Sequence, residues 1–452
     1  MRNFIVLVWS VLLSVAKHTV SLEVTPPPSP VAMSPTVAAS SKVLTIPARV
    51  WRSAASTHAN SIRSLLKDGL YSKEDCPSHR SMRRQQRDES SWTSLNPRHA
   101  TFNFLMEYYG LKGVKGVKQL ARWSPSIGLW LHDSNKSSSR IEFLEELEEA
   151  SNLYADADNS SRGSQKILRR EHISTVLLED ATPDDFGETL HLRGAQIIGE
   201  GVLYSHPNDF YQPSGRNSLQ WYHDVLEATL KNPPNLQCHG LHEWSMQYWP
   251  AGADQPPSAK YQSHLPLRVS QETINAAVER KGTTCTHVDA LRFFAPAAGP
   301  LNLQGASLER VQQLQLEQSA CVHAHMDLLK HVLKLRPYSD SFLLKDVLEL
   351  ALAARTLDVA ASPYDVSEFG IAPIPIETPE GRKEYRRQQR ILMERAKPIR
   401  ENLLQYYKTL LELGFEDITK ELPPDPERFA SAQPGGKPWR QNLLEQPAVQ
   451  SS

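Results

Sequence analysis

Cysteine is scarce in this sequence, with four residues in a chain of 452. The four are also far apart, at Cys76, Cys238, Cys285 and Cys321. Four cysteines could form too few disulfides to stabilise a chain of this length, and their spacing favours reduced thiols over a disulfide framework. Three of the four lie within two positions of a histidine. This places them in a core or functional setting.

The sequence also lacks an excess of charge of either sign, and it lacks a long apolar run. Fifty Lys and Arg side chains oppose 51 Asp and Glu, for a net charge of -1. This gives no global attraction for nucleic acid, so DNA binding would need a local basic patch. A mean hydropathy of -0.45 excludes a polytopic membrane protein. The 40% of hydrophobic residues excludes a wholly disordered chain and is enough for more than one core.

The first sixty residues have a targeting pattern. Arg2 precedes the apolar run Phe4 to Ala16, which fits a signal h-region but is shorter than the roughly 20 residues that span a bilayer. The following stretch is rich in Pro, Ser, Ala and Thr and poor in acids, as transit peptides are. We therefore predict a signal-plus-transit leader for an organelle such as a plastid and no membrane span in the mature protein. Secretion and a mitochondrial leader are the alternatives.

Beyond the leader the pattern predicts a mainly α protein, a multi-helix globular domain with irregular connecting loops. Apolar residues recur at three- and four-residue spacings, and from residue 167 onward the pattern is overwhelmingly helical, including ILRREHISTVLLED. The predicted organisation is a leader at 1–60, a polar linker at 61–95, a helical domain at 96–418 with a surface excursion at 134–166, and a flexible tail at 419–452.

A long basic helix is predicted near the end of the domain. Thr378 can cap it, Pro379 suits its first position, and it should run to about Gly414 with a kink at Pro398. It contains the densest basic run of the chain, RKEYRRQQRILMERAK. An exposed helix face explains this run, and an anionic partner is the alternative.

Three segments concentrate residues that globular proteins seldom bury without a reason: CHGLHEW (238–244), CTHVDALRFF (285–294) and CVHAHMDLLK (321–330). Each joins histidine to a carboxylate beside apolar residues. If the segments converge, they form a pocket suited to binding zinc or iron, to acid–base catalysis, or to cysteine chemistry. The alternative is that buried His and Asp pairs only fix helix packing.

The candidate side chains are taken from these segments. The metal-ligand candidates are His242, His287 and His323, and the catalytic candidates are Glu243, His287, Asp289, Arg292 and Asp327. The chain lacks HExxH and its inverse, CxxC pairs, GxGxxG, a P-loop and a GxSxG elbow. Dinucleotide, kinase and ordinary hydrolase functions are therefore disfavoured, and no standard zinc spacing is present.

An ordered set of motifs between residues 95 and 400 resembles a family labelled 3-methyladenine DNA glycosylase, with mainly actinobacterial and also algal and plant members. The motifs are FNFLMEYY, LARWSP, GLHEW, THVDALRFFAPAAGPLN, EQSACVHAHMDLLK, ARTLDVAASPYDV and IETPEGRKEY. Positions that fit the family pattern are His242, Glu243, His287, Asp289, Arg292, Phe293, Asn302, Gln318, His323, Asp327, Tyr364, Asp365 and Glu377. The chain departs from the pattern at His239 and His325, which makes those two poor ligand candidates.

The resemblance implies a DNA-base glycosylase, with DNA or a small polar substrate as partner. Such an enzyme holds an extruded base between aromatic faces and activates water with a carboxylate. The nearest match to a phosphate-binding helix-hairpin-helix is GLKGVKGVKQLA (110–121), with Asp133 downstream. The alternatives are a metal-dependent hydrolase or oxygenase that uses the His and carboxylate pocket, and a non-catalytic helical binding protein.

Overall fold

The computed structural model describes residues 44–46, 48–72, 74–76, 92–124, 129–132, 175–177, 189–191, 195–198, 201–204, 213–252, 262, 264–336 and 339–412. The excursion predicted at 134–166 and the tail at 419–452 lie outside the described residues, as does most of the predicted leader. The described part is mainly helical, which confirms the predicted class. None of its helices combines the length and the apolar character that crossing a membrane requires.

The described residues form ten α-helices. They are α1 (Ala48–Leu66), α2 (Asn103–Glu107), α3 (Gly113–Ala121), α4 (Pro213–Lys231), α5 (Leu241–Met246), α6 (Gln271–Glu279), α7 (Gln313–Leu316), α8 (Val322–Leu335), α9 (Ser341–Ala360) and α10 (Pro379–Glu412). Short 3-10 turns at Lys67–Gly69, Leu291–Phe293, Gly299–Leu301, Arg310–Gln312 and Ser367–Phe369 lie in the irregular connections.

Six short strands accompany the helices: β1 (Leu44–Ile46), β2 (Leu129–His132), β3 (Thr175–Leu177), β4 (Thr189–His191), β5 (Ala195–Ile198) and β6 (Gly201–Tyr204). One sheet has the order β1-β2-β6-β5, with β1 parallel to β2 and the other pairs antiparallel, and β3 pairs antiparallel with β4. The helix predicted across ILRREHISTVLLED is wrong at β3. The run of β-branched residues there suits a strand.

Helix α9 lies at the centre of the main core. Most of its residues are apolar and buried, and the charged Lys345, Asp346 and Glu349 lie on its outer side. It packs against α8, α10 and α1, while α10 also packs against α8 and α4. Fully buried Leu344, Val347, Leu348 and Leu350 anchor it. The two charged residues in its last turns, Arg355 and Asp358, are therefore inside the protein.

The folded domain begins earlier than predicted. Ile62, Leu66, Trp92 and Leu95 are almost fully buried in the same core as α9. The assignment of residues 61–95 to a polar linker is therefore wrong at both of its ends, because apolar side chains of α1 and of the segment after residue 91 fill the core. Helix α1 itself starts within the segment predicted as the leader.

The basic helix forms as predicted. The Thr378 hydroxyl accepts a hydrogen bond from the amide of Gly381 at 3.1 Å and so caps the start of α10, and Pro398 lies inside the helix. A Cβ on Gly381 would lie 2.0 Å from the carbonyl oxygen of Pro375. Only glycine allows this close approach, which turns IETPEG into the helix.

A bidentate ion pair joins the turn before α10 to the loop before α6. Arg268 donates to both Glu377 carboxylate oxygens, at 2.7 and 3.0 Å. Burial opposes ionisation of Glu377, but Arg268 outweighs it and lowers the pKa of the carboxyl. Glu377 fits the family motif, and in the structure it holds two chain segments together through this ion pair.

Glu377→Gln is expected to lower the melting temperature at pH 7. A lowered pKa means that the carboxylate stabilises the fold above its unfolded-state pKa, and that this contribution is lost as the pH falls through the folded-state value. The gap between wild type and variant should therefore narrow on acidification. Thermal unfolding between pH 7 and pH 3 checks this, and a gap that stays constant would contradict it.

Candidate functional site

A tight backbone turn brings His242 and Glu243 into the core. His239 and Gly240 both adopt left-handed backbone conformations, with φ of 50° and 69°, immediately before α5. This conformation is uncommon for a residue other than glycine. The turn directs α5 inward, so that the His242 and Glu243 side chains are almost completely buried. His239 instead packs edge-on against Tyr385.

The α9 residues Arg355 and Asp358 meet these two side chains. Arg355 Nη1 donates to Glu243 Oε1 at 2.6 Å and to Asp358 Oδ2 at 2.7 Å. The second Asp358 oxygen, Oδ1, lies 2.7 Å from His242 Nε2, but neither atom has hydrogen-bond geometry to any described residue. The two atoms thus form a close pair whose alignment is poor for a hydrogen bond.

The electrostatics of this group follow from burial and from its ion pairs. Without an ion, burial opposes charge on both His242 and Asp358, yet each holds the other ionised, so the pKa of His242 is raised and that of Asp358 lowered; an ion bound by His242 would have to displace the imidazole proton. Burial raises the pKa of Glu243 despite the neighbouring Arg355.

His323, in the first turn of α8, completes the group. Its ring centroid lies 4.3 Å from that of His242, and its ring makes no hydrogen bond to any described residue. One ligand atom from each of His242, His323 and Asp358 can be chosen so that all three lie within 4.8 Å of one another. Burial and the neighbouring His242 and His287 lower the pKa of His323, which therefore stays neutral. A neutral imidazole is the form that binds metal.

A second group lies on the other side of His323. The His287 ring stacks on that of His323 with centroids 4.9 Å apart. His287 Nε2 is 3.4 Å from Asp327 Oδ2 and 3.8 Å from Glu317 Oε1. Lys330 donates to Asp327 Oδ2 at 2.7 Å, and the Tyr109 hydroxyl donates to Oδ1 at 3.4 Å.

Both groups border one cavity of about 600 Å³. His323, His287, Asp327 and Arg355 contribute to its inner wall. Many of the other lining residues are aromatic or cationic, and these are Phe104, Tyr108, Tyr109, Trp221, Tyr222, Phe293, Arg292, Arg310, Lys330 and Lys334. The cavity can therefore accept an organic molecule whose polar end reaches the histidines.

The three predicted segments thus meet in space. His242 and His323 fall in the first group, and His287 and Asp327 in the second. Asp289 lines the cavity in a bidentate pair with Arg310, at 2.7 and 3.1 Å. Arg292 is exposed at the cavity, with its guanidinium 4.8 Å from the Phe293 ring centroid. Glu243 lies behind the cavity wall, between Arg355 and Gln262.

Three important residues were missing from the predicted site: Arg355, Asp358 and Glu317. Arg355 and Asp358 are three apart in the last turns of a helix whose neighbouring positions there are apolar and buried, and such charges are seldom buried unless they are paired. That contrast was a usable signal. Glu317 begins the motif EQSACVHAHMDLLK but offered no periodic signal of its own.

The thiols are poorly suited to nucleophilic chemistry. Cys285 and Cys321 are buried, and burial raises the pKa of both. A thiol with a raised pKa stays protonated and weakly nucleophilic at neutral pH. Cys238 Sγ lies 4.0 Å from His242 Nδ1, on the side of the ring away from Asp358.

Comparison with known proteins gives no match: no family model fits the chain, and neither the curated proteins nor the solved structures include a significantly similar one. The assignment to a glycosylase-labelled family therefore stays a prediction based on the motifs of the sequence.

Proposed function

We propose that the chain is a metal-dependent enzyme that holds a zinc or iron ion through His242, His323 and Asp358. The observation that supports this best is the convergence of the three side chains, since one ligand atom from each lies within 4.8 Å of the others beside the cavity, and His242 Nε2 and Asp358 Oδ1 lack a well-aligned hydrogen bond. Buried polar groups are normally hydrogen-bonded. A shared cation would satisfy all three side chains.

The type of ligand favours a catalytic ion. Structural zinc sites are closed by four protein ligands and usually contain thiolates, whereas catalytic sites leave a position open for water or substrate. Two histidines and one carboxylate are also the ligand set of non-haem iron oxygenases. His323 lines the cavity, so an open position would face it.

Neighbouring side chains would orient the ligands. Arg355 holds Asp358 Oδ2, which leaves Oδ1 turned toward His242. Such partners of ligating carboxylates fix their direction and tune the ion. A bound ion would activate water or polarise a substrate in the cavity. Zinc would indicate a hydrolase, and redox-active iron an oxygenase.

Elemental analysis of the purified full chain tests the proposal. We expect zinc or iron at one equivalent or more, and loss of an equivalent in His242→Ala. The matched control is His264→Ala, because His264 lies outside the site and its Nε2 contacts the Arg98 carbonyl oxygen at 2.9 Å. Equal metal content in all three proteins, or no metal in any, would contradict the proposal.

The DNA-base glycosylase is the second candidate. It draws support from the aromatic wall of the cavity, where Tyr108 and Phe293 lie 5.4 Å apart between ring centroids, with Arg292 beside them. Base extrusion needs such stacking faces and cationic contacts to phosphate. Release of methylated base from alkylated DNA that persists with a chelator would favour this candidate over the metal enzyme. Absence of both base release and DNA retention would remove it.

A further inference from the structure

The second group, His287 with Glu317 and Asp327, has unsatisfied polar atoms deep in the protein. Both ring nitrogens of His287 are buried, and neither has a hydrogen-bond partner among the described residues. His287 is 3% exposed and Glu317 is 2% exposed. An imidazole left in this state costs free energy unless something else bonds to it.

The two carboxylates leave an oxygen turned toward that ring. Gln313 donates to Glu317 Oε2 at 2.7 Å, while Oε1 faces His287. Asp327 Oδ2 faces the same ring. One ligand atom from each of the three side chains can be chosen so that all lie within 4.8 Å of one another. The arrangement resembles the first group in that carboxylates held by neighbouring side chains face an imidazole, although Asp327 Oδ2 also accepts from Lys330.

Lys330 contacts one of these two acids, Asp327. Its ammonium lies 2.7 Å from Asp327 Oδ2, and its side chain is 29% exposed at the cavity. A long side chain with that exposure can move its charged end into the cavity at little cost. A second cation could then replace it on Asp327.

We infer that the cavity holds a second divalent cation, bound by His287, Glu317 and Asp327, so that the centre is dinuclear. This inference rests on the proposed function, because the second ion would lie beside the first across the stacked rings of His287 and His323. Imidazole with two carboxylates suits zinc, iron or manganese. Two ions in one cavity can hold both an attacking and a leaving oxygen, and the substrate class would then be an ester or amide, including phosphate esters.

Metal stoichiometry of variants tests the inference. The full chain is equilibrated with Zn²⁺, and bound metal is counted after removal of free ion. We expect two ions in the wild type, one in Glu317→Gln and one in His242→Ala. The matched control is Glu279→Gln, whose carboxylate accepts from the Tyr248 hydroxyl at 2.7 Å outside the cavity and which should bind two.

The outcomes separate the two proposals. One ion that is lost in His242→Ala but kept in Glu317→Gln would overturn the second site and leave the proposed function standing. One ion that is lost in Glu317→Gln but kept in His242→Ala would support the second site and overturn the first. No bound ion in any protein would overturn both.

A further variant keeps the test valid if Glu317→Gln does not fold. Lys330→Met removes the ammonium that competes for Asp327, so the second Zn²⁺ should bind at least about 10-fold more tightly. Unchanged or weaker binding of that ion would contradict the inference.

Discussion

Replacing Arg355 with methionine is expected to lower the free energy of unfolding by about 3–5 kcal/mol. The guanidinium contacts Glu243, Asp358 and the carbonyl oxygen of Ala100, and it is 6% exposed. Its loss leaves the Glu243 carboxylate buried without its counter-charge, while Asp358 keeps only His242. Removing one partner of a buried ion pair is strongly destabilising for this reason.

Urea denaturation at pH 7 measures this effect. The control is Arg395→Met, whose exposed side chain reaches Glu349 at 3.3 Å on the outside of α9. That variant should change the free energy of unfolding by less than about 1 kcal/mol. A loss below about 1 kcal/mol for Arg355→Met would show that the buried pair does not hold α5 against α9.

Replacing His323 with alanine should instead leave the free energy of unfolding of the metal-free protein nearly unchanged and weaken metal binding. Its ring makes no hydrogen bond to a described residue, so the metal-free variant should unfold within about 1 kcal/mol of the metal-free wild type. Its affinity for the ion at the His242 group should fall by at least about 100-fold, since a ligand is lost. At an ion concentration about 100 times the dissociation constant, the wild type gains about 2.7 kcal/mol from that ion.

Thermal unfolding with and without Zn²⁺ distinguishes a metal-binding role of His323 from a role in packing alone. We expect His323→Ala to lose the part of the metal-dependent stabilisation that comes from the His242 group. A large loss of stability without metal, together with an unchanged response to Zn²⁺, would instead support the non-catalytic helical protein, in which the histidines only fix packing.

The helices were predictable because their signals are local. Thr378, Pro379 and the apolar spacing of α10 set its start and direction without help from the rest of the chain. The strands were not, because β2 pairs with residues 201–204, about 70 positions away, and each strand is only three or four residues long. Pairing over such distances leaves no local pattern.

The site was predictable in part for the same reason. Histidine beside carboxylate indicated His242, His287 and His323, and the fold brings these three rings together. The pairing was not predictable: His242 meets Asp358 of another helix, whereas the adjacent Glu243 turns to Arg355. Which acid faces which ring depends on how α5, α8 and α9 cross, and sequence spacing does not contain that information.

Anomalous diffraction from crystals of the metal-loaded protein, collected above and below the absorption edge, tests the central claim most directly. We expect a peak at about 2.0–2.2 Å from His242 Nε2, a ring nitrogen of His323 and Asp358 Oδ1. Crystals of loaded protein with no peak there, and with His242 instead donating a well-aligned hydrogen bond to Asp358, would contradict it.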